Sequence, residues 1–102
     1  MPKLDLVVQH NVVANVPFSA TVAITEGESG GIVRVTLRQV RGIPPRGSWG
    51  PLTITLDAVG AGDAPFAAIQ VSGPTTATLI ATANDDVGGF YEPDAESVLV
   101  QP

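Results

Sequence analysis

Two segments of this chain repeat with a period of two. "FSATVAITE" (18–26) sets Phe18, Ala20, Val22 and Ile24 against Ser19, Thr21, Ala23 and Thr25, and "IVRVTLRQV" (32–40) sets Val33, Val35 and Leu37 against Arg34, Thr36 and Arg38. That period belongs to a strand, whose successive side chains leave opposite faces of the sheet. Large apolar residues confined to one parity demand a sheet buried on one face and wet on the other. No segment keeps the 3.6-residue period of an amphipathic helix. Other apolar runs read as further strands. "LDLVVQ" (4–9) and "NVVAN" (11–15) form one first strand broken at His10-Asn11, and "LTITLDAV" (52–59) turns Leu52, Ile54, Leu56 and Ala58 inward. "FAAIQVS" (66–72), "TATLIATAN" (76–84) and "SVLVQ" (97–101) follow. Turn residues separate them in "GESGG" (27–31), "GIPPRGSWGP" (42–51), "GAGDAP" (60–65) and "GPT" (73–75), where glycine and proline supply the backbone angles of turns. The expectation is an all-β fold of about seven short antiparallel strands.

At 102 residues the chain makes a single domain, 1–102. A chain of this size buries between about 60% and 70% of its unfolded surface, enough for one core. It contains no cysteine, so neither disulfides nor thiolate ligands contribute. Phe18, Phe66, Phe90, Trp49 and Tyr91 are its aromatic residues, which leaves the core to Val, Ile, Leu and Ala. A net charge of −5 argues against general binding to nucleic acid or to anionic membranes. The opening "MPKLDLVVQHNVV" has no cationic head followed by a continuous apolar stretch. It does not read as a secretion signal, and nothing approaches the roughly 20 apolar residues of a membrane span.

Short strands at this spacing resemble an immunoglobulin-like β-sandwich, with a small β-barrel or jelly-roll as the other arrangement the pattern supports. One local run adds to the resemblance. "DVGGF", with Asp86, Gly88 and Phe90, resembles the Asp-x-Gly-x-aromatic run that leads into the tyrosine corner of such domains. It departs from them in that no cysteine follows and few residues remain for two further strands. In architecture and economy the chain is also similar to the immunoglobulin-like decoration and accessory proteins of tailed-phage capsids and tails. That similarity implies symmetric self-association or docking on a capsid lattice, hence a place in the virion after synthesis in the host cytoplasm. It assigns no functional residue.

Catalytic chemistry is poorly supplied. There is one histidine, His10, no Gly-x-Ser-x-Gly elbow and no glycine-rich phosphate loop ahead of a helix. No enzymatic activity and no cofactor are expected. "NDDVGGFYEPDAE" (84–96) carries Asp85, Asp86, Glu92, Asp94 and Glu96, hard oxygen donors of the kind calcium takes. Val87 to Tyr91 interrupts the alternate spacing of a calcium loop, so the segment reads as a solvated acidic loop and not as a metal site.

Charge is distributed unevenly. All four arginines, Arg34, Arg38, Arg41 and Arg46, fall within thirteen residues, while five of the ten acids lie between positions 85 and 96. Arg34 and Arg38 share strand parity and leave the face opposite Val33, Val35 and Leu37. Arg41 and Arg46 flank the turn that bears Ile43, Pro44, Pro45 and Trp49. Solvent cover with weak exposed ion pairs is the plain explanation of such a face. The sharper one is a docking surface, because interfaces are enriched in Arg and Trp and a proline pair loses little freedom on binding.

The expected interface comprises Arg34, Arg38, Arg41, Pro44, Pro45, Arg46 and Trp49, and the five acids are its oppositely charged partner segment on another copy. Trp49 is either an anchor held out for a partner or a plug for the chain's own core. A structural protein docking on capsid or self subunits is the function this implies. Its alternative is a carbohydrate- or ligand-binding module of a larger secreted protein, with Trp49 and Tyr91 as a stacking platform.

Overall fold

The structure, a computed structural model, describes residues 2–102. Eight strands follow one another: β1 (Lys3–Val8), β2 (Asn11–Val13), β3 (Phe18–Thr25), β4 (Ile32–Arg41), β5 (Ser48–Thr55), β6 (Gly62–Ile69), β7 (Thr75–Asp85) and β8 (Asp94–Gln101). The described residues form no helix. A three-stranded sheet in the order β1-β3-β6 packs on a five-stranded sheet in the order β2-β8-β7-β4-β5. The fold is an all-β sandwich. Its core takes up residues the alternation singled out: Val22 and Ile24 from one sheet meet Val33, Val35 and Leu37 from the other, with Leu79 of β7 beside them, all essentially without solvent contact. Phe66 and Tyr91 are the aromatic residues buried in this core, and Phe18, Trp49, Leu52 and Ile54 pack against it partly exposed.

Three expectations need correction. First, residues 4–15 are not one broken strand. Leu4 and Leu6 point into the core from the three-stranded sheet, where β1 pairs antiparallel with β3. After exposed Gln9 and His10 the chain crosses over, and β2 pairs parallel with β8, so that Val12 enters the core from the opposite side. Both halves keep their apolar parity because the core lies between the sheets. Changing sheets at residues 9–10 satisfies both.

Second, "GIPPRGSWGP" is not wholly a loop, since β5 begins at Ser48 and includes Trp49, Gly50 and Pro51. Trp49 lies opposite Leu37 and Leu52 opposite Val35, with a register shift between them. Three residues apart, Trp49 and Leu52 would face opposite sides of a regular strand. The extra residue of a bulge restores both to the core side. Gly50 makes it possible: its φ is 96°, and a Cβ there would meet the Val35 carbonyl oxygen at 2.8 Å. Proline is tolerated at position 51 because β5 is an edge strand. Further on, Ala58 is exposed in the turn instead of buried, because β5 ends at Thr55.

Third, the strands near the turns run longer than their apolar cores. β6 already starts at Gly62, and β8 starts at Asp94. Polar residues at the ends of a sheet keep the ladder without needing burial. The free edge of β1 is covered by the segment entering β8: Leu4 N–H donates to the Glu92 carbonyl at 3.0 Å, Glu92 N–H to the Pro2 carbonyl at 2.9 Å, and Leu6 N–H to Asp94 Oδ2 at 2.8 Å. One side of the sandwich is thereby drawn toward barrel-like closure, and an otherwise open strand edge is satisfied.

Candidate functional site

Strand direction sorts the connections onto two ends of an elongated body of 43 × 18 × 18 Å. The β3–β4 turn (26–31), the β5–β6 turn (56–61) and the β7–β8 connection (86–93) gather at one end. The connections at 9–10, 14–17, 42–47 and 70–74 gather at the other.

The first end carries Glu26, Glu28, Asp57, Asp86 and Glu92 and no lysine or arginine within its turns. Its turns are tied together. Gly27 N–H donates to the Gly60 carbonyl at 2.9 Å, Gly30 N–H to the Asp57 carbonyl at 3.0 Å, and Leu56 N–H to the Gly31 carbonyl at 2.8 Å. Gly60, with φ of 77°, approaches Gly27 so closely that a Cβ would collide with the Gly27 backbone. Asp57 Oδ1 accepts the Val59 and Ala61 N–H groups, and Asp85 Oδ1 accepts those of Val87 and Gly89. These short acids fold their own turns by side-chain-to-backbone bonding.

Beneath them Tyr91 is buried, only 3% exposed, with its hydroxyl facing the Asp85 carboxylate and the Glu28 backbone. Burial, and then the negative charge of Asp85, hold this phenol above its ordinary pKa. A cleft of about 220 Å³ lies between Glu28–Ile32 and Asp85–Val87. Ligand pockets run from about 300 to 1,000 Å³, so this one is undersized for an organic ligand.

The five residues grouped as an acidic partner segment do not act as one unit. Asp85 caps its loop, Asp94 caps β1 and Asp86 pairs with Arg34 of the same chain at 2.6 Å. Asp94 and Glu96 belong to β8 and take the same parity as buried Val98 and Val100, leaving Glu92 exposed on the connection. Among the described residues no three His, Asp or Glu side chains converge on a point that a metal ion could occupy. The Asp86-Gly88-Phe90 run sits between the last two strands, so it does not lead into a penultimate strand as a tyrosine corner does.

Arg34 and Arg38 leave the outer face of the five-stranded sheet, as parity required. Thr53 and Asn84 flank Arg34, and Ser48 and Ile80 flank Arg38. No Asp or Glu occupies an outward position on the strands of this face. Leu99 and Val40 add exposed aliphatic surface, 48% and 46% accessible. Arg34 spends its charge on Asp86, and Arg38 forms no ion pair among the described residues.

Arg41 ends β4, and exposed Pro44, Pro45 and Arg46 form the turn at the second end. Trp49 stands beside that turn, half-buried against the core margin, with its six-membered ring lying over Gly47. It closes the sandwich with one face while its other side remains partly open. Tyr91 is buried toward the opposite end, so the two do not form one stacking platform.

One residue of this region escaped the sequence reading. Gln39 is 4% exposed; its N–H donates to the Gly47 carbonyl at 3.0 Å, and its Nε2 to the Arg41 carbonyl at 3.1 Å. It braces both sides of the arginine turn, and its Oε1 is buried without a partner. Its parity with Val33, Val35 and Leu37 was the available signal. His10 is exposed at the sheet crossover, with Nδ1 3.4 Å from the Ser97 carbonyl. The chain matches no protein-family model and no curated protein.

Proposed function

We propose that this chain is a non-enzymatic structural protein that docks on a larger protein assembly, in the manner of an immunoglobulin-like virion decoration or accessory protein. One observation carries the reading. The outer face of the five-stranded sheet is a broad field of hydroxyl and aliphatic side chains whose charges are arginines, continuous with the Pro44-Pro45-Arg46 turn beside half-buried Trp49. Interfaces favour Arg and Trp over Lys, and the brace from Gln39 holds the turn in shape before any partner arrives. Strand order supports the immunoglobulin-like comparison, with the first strand divided between the two sheets. The partner is another protein subunit, of a capsid or of the chain itself, without nucleic acid, membrane or cofactor.

The mass of the purified chain in solution, alone and mixed with the products of neighbouring genes, tests this. A stable complex that Arg38→Glu weakens supports the reading. Turnover of a substrate by the isolated chain would overturn it.

A further inference from the structure

The two ends of the sandwich complement one another. One presents Glu26, Glu28, Asp57 and Glu92, against the single cation Lys3 at the start of β1, around exposed Val59 (77% accessible), Val87 (75%) and Phe90 (62%). The other presents Arg41 and Arg46 around exposed Ile43, Val16 and the proline pair, and its turns contain no acid. A large aromatic ring left mostly in water on a hydrogen-bonded, rigid set of turns is a surface already shaped for contact. We infer that the acidic end of one copy packs on the arginine end of the next, with Phe90 and Val87 against Ile43 and the prolines, and the charges around them in register. This rests on reading the chain as an assembling protein, and it names a partner: a second copy of the chain.

Geometry sets the character of the contact. The mating surfaces lie at opposite ends of the 43 Å axis, so the pairing is heterologous and does not close on itself, and copies add in an open row. The 18 × 18 Å cross-section limits the contact to a few hundred Å² per partner, well under the roughly 800 Å² of a standard interface. The association is therefore weak, on the order of 0.1–1 mM, and strongest where a lattice already holds copies in line. Because it is charge-guided at the rim, salt weakens it.

Sedimentation equilibrium of the purified chain up to about 2 mM, at low and high salt, reads the effect. The expected result is an average mass that rises with concentration without levelling at a dimer, and falls back at least about tenfold in association constant at high salt. Arg41→Glu with Arg46→Glu, and separately Glu28→Lys with Glu92→Lys, should each abolish the rise. Mixing these two variants should restore it, which also shows that neither loss came from misfolding. A plateau at the dimer, or failure of the mixture to associate, overturns end-to-end packing. A wild-type chain that stays monomeric to about 2 mM while still docking on a foreign assembly through Arg38 overturns this inference alone and leaves the docking function standing.

Discussion

Tyr91 is a residue whose chemistry the fold changes. Burial and the Asp85 carboxylate raise its pKa above the ordinary 10.0, so the folded state holds the phenolic proton more tightly than the unfolded chain. Its stabilisation is complete below about pH 10 and is lost as pH rises through the raised folded value. Tyr91 is the one tyrosine in the sequence, so phenolate absorbance reports on it alone. Titration should show a midpoint above that of the denatured chain, and urea midpoints should fall from pH 9.5 upward (about half a unit below the ordinary value) more steeply in the wild type than in Tyr91→Phe. Trp49 makes a different point at the same scale. A fully buried Trp→Ala change costs about 3–5 kcal/mol; with part of its surface already wet, Trp49→Ala should cost about 1–3 kcal/mol in denaturant unfolding. A larger loss would make it purely a core residue, and a loss near zero would make it purely an anchor.

At the level of the strand, irregularities place the functional surfaces. The β5 bulge keeps Trp49 and Leu52 on one face, and it depends on Gly50, whose backbone angle and tight approach to the Val35 carbonyl exclude a side chain. Gly50→Ala should destabilise by about 2–4 kcal/mol through strain and crowding, with the loss of tryptophan fluorescence anisotropy marking Trp49 as the residue released. The free edge of β1 makes a second case. Asp94 accepts the Leu6 N–H in a part-buried hydrogen bond, and removing the acceptor leaves that donor unpaired at about 1–2 kcal/mol. Asp94→Ala should lower thermal stability and speed amide exchange at Leu6, while Asp94→Asn, which keeps an acceptor, should recover most of it.

Across the whole molecule, charge is arranged by topology. Glu28, Asp57 and Glu92 are far apart in sequence yet share one end, and Arg41 and Arg46 share the other. Among the described residues the outer face of the five-stranded sheet carries two charges, Arg34, compensated by Asp86, and Arg38, which is not, whereas the three-stranded sheet turns Asp5 and Asp63 outward. Arg38→Glu should therefore impair docking on a partner subunit more at about 20 mM salt than at about 500 mM, where the Debye length has shrunk below the charge separation. Arg34→Glu should do so less cleanly, because it also places like charges against Asp86 and loosens the β7–β8 connection. Co-sedimentation with the partner at both salt levels separates the two. Equal impairment at both would remove electrostatics from the docking account.

What the sequence determined by itself was local: the strands, the parity of Val22, Val35 and Leu37 inward and of Arg34 and Arg38 outward, and the turns at glycine and proline. Alternation is written into neighbouring residues and needs no partner to be read. What it did not determine was every feature that depends on which strand lies beside which. The crossing of residues 9–10 between sheets preserves parity and so leaves no trace in it. The bulge at Gly50-Pro51 breaks parity within a segment that reads as a turn. The acids at 85–96 looked like one patch because they are adjacent in the chain, but the fold bonds Asp85, Asp86 and Asp94 internally and gathers Glu26, Glu28 and Asp57 instead. Backbone donors at a loop and at a strand edge had to be satisfied wherever the chain left them, and only the packed sheets decided where that was.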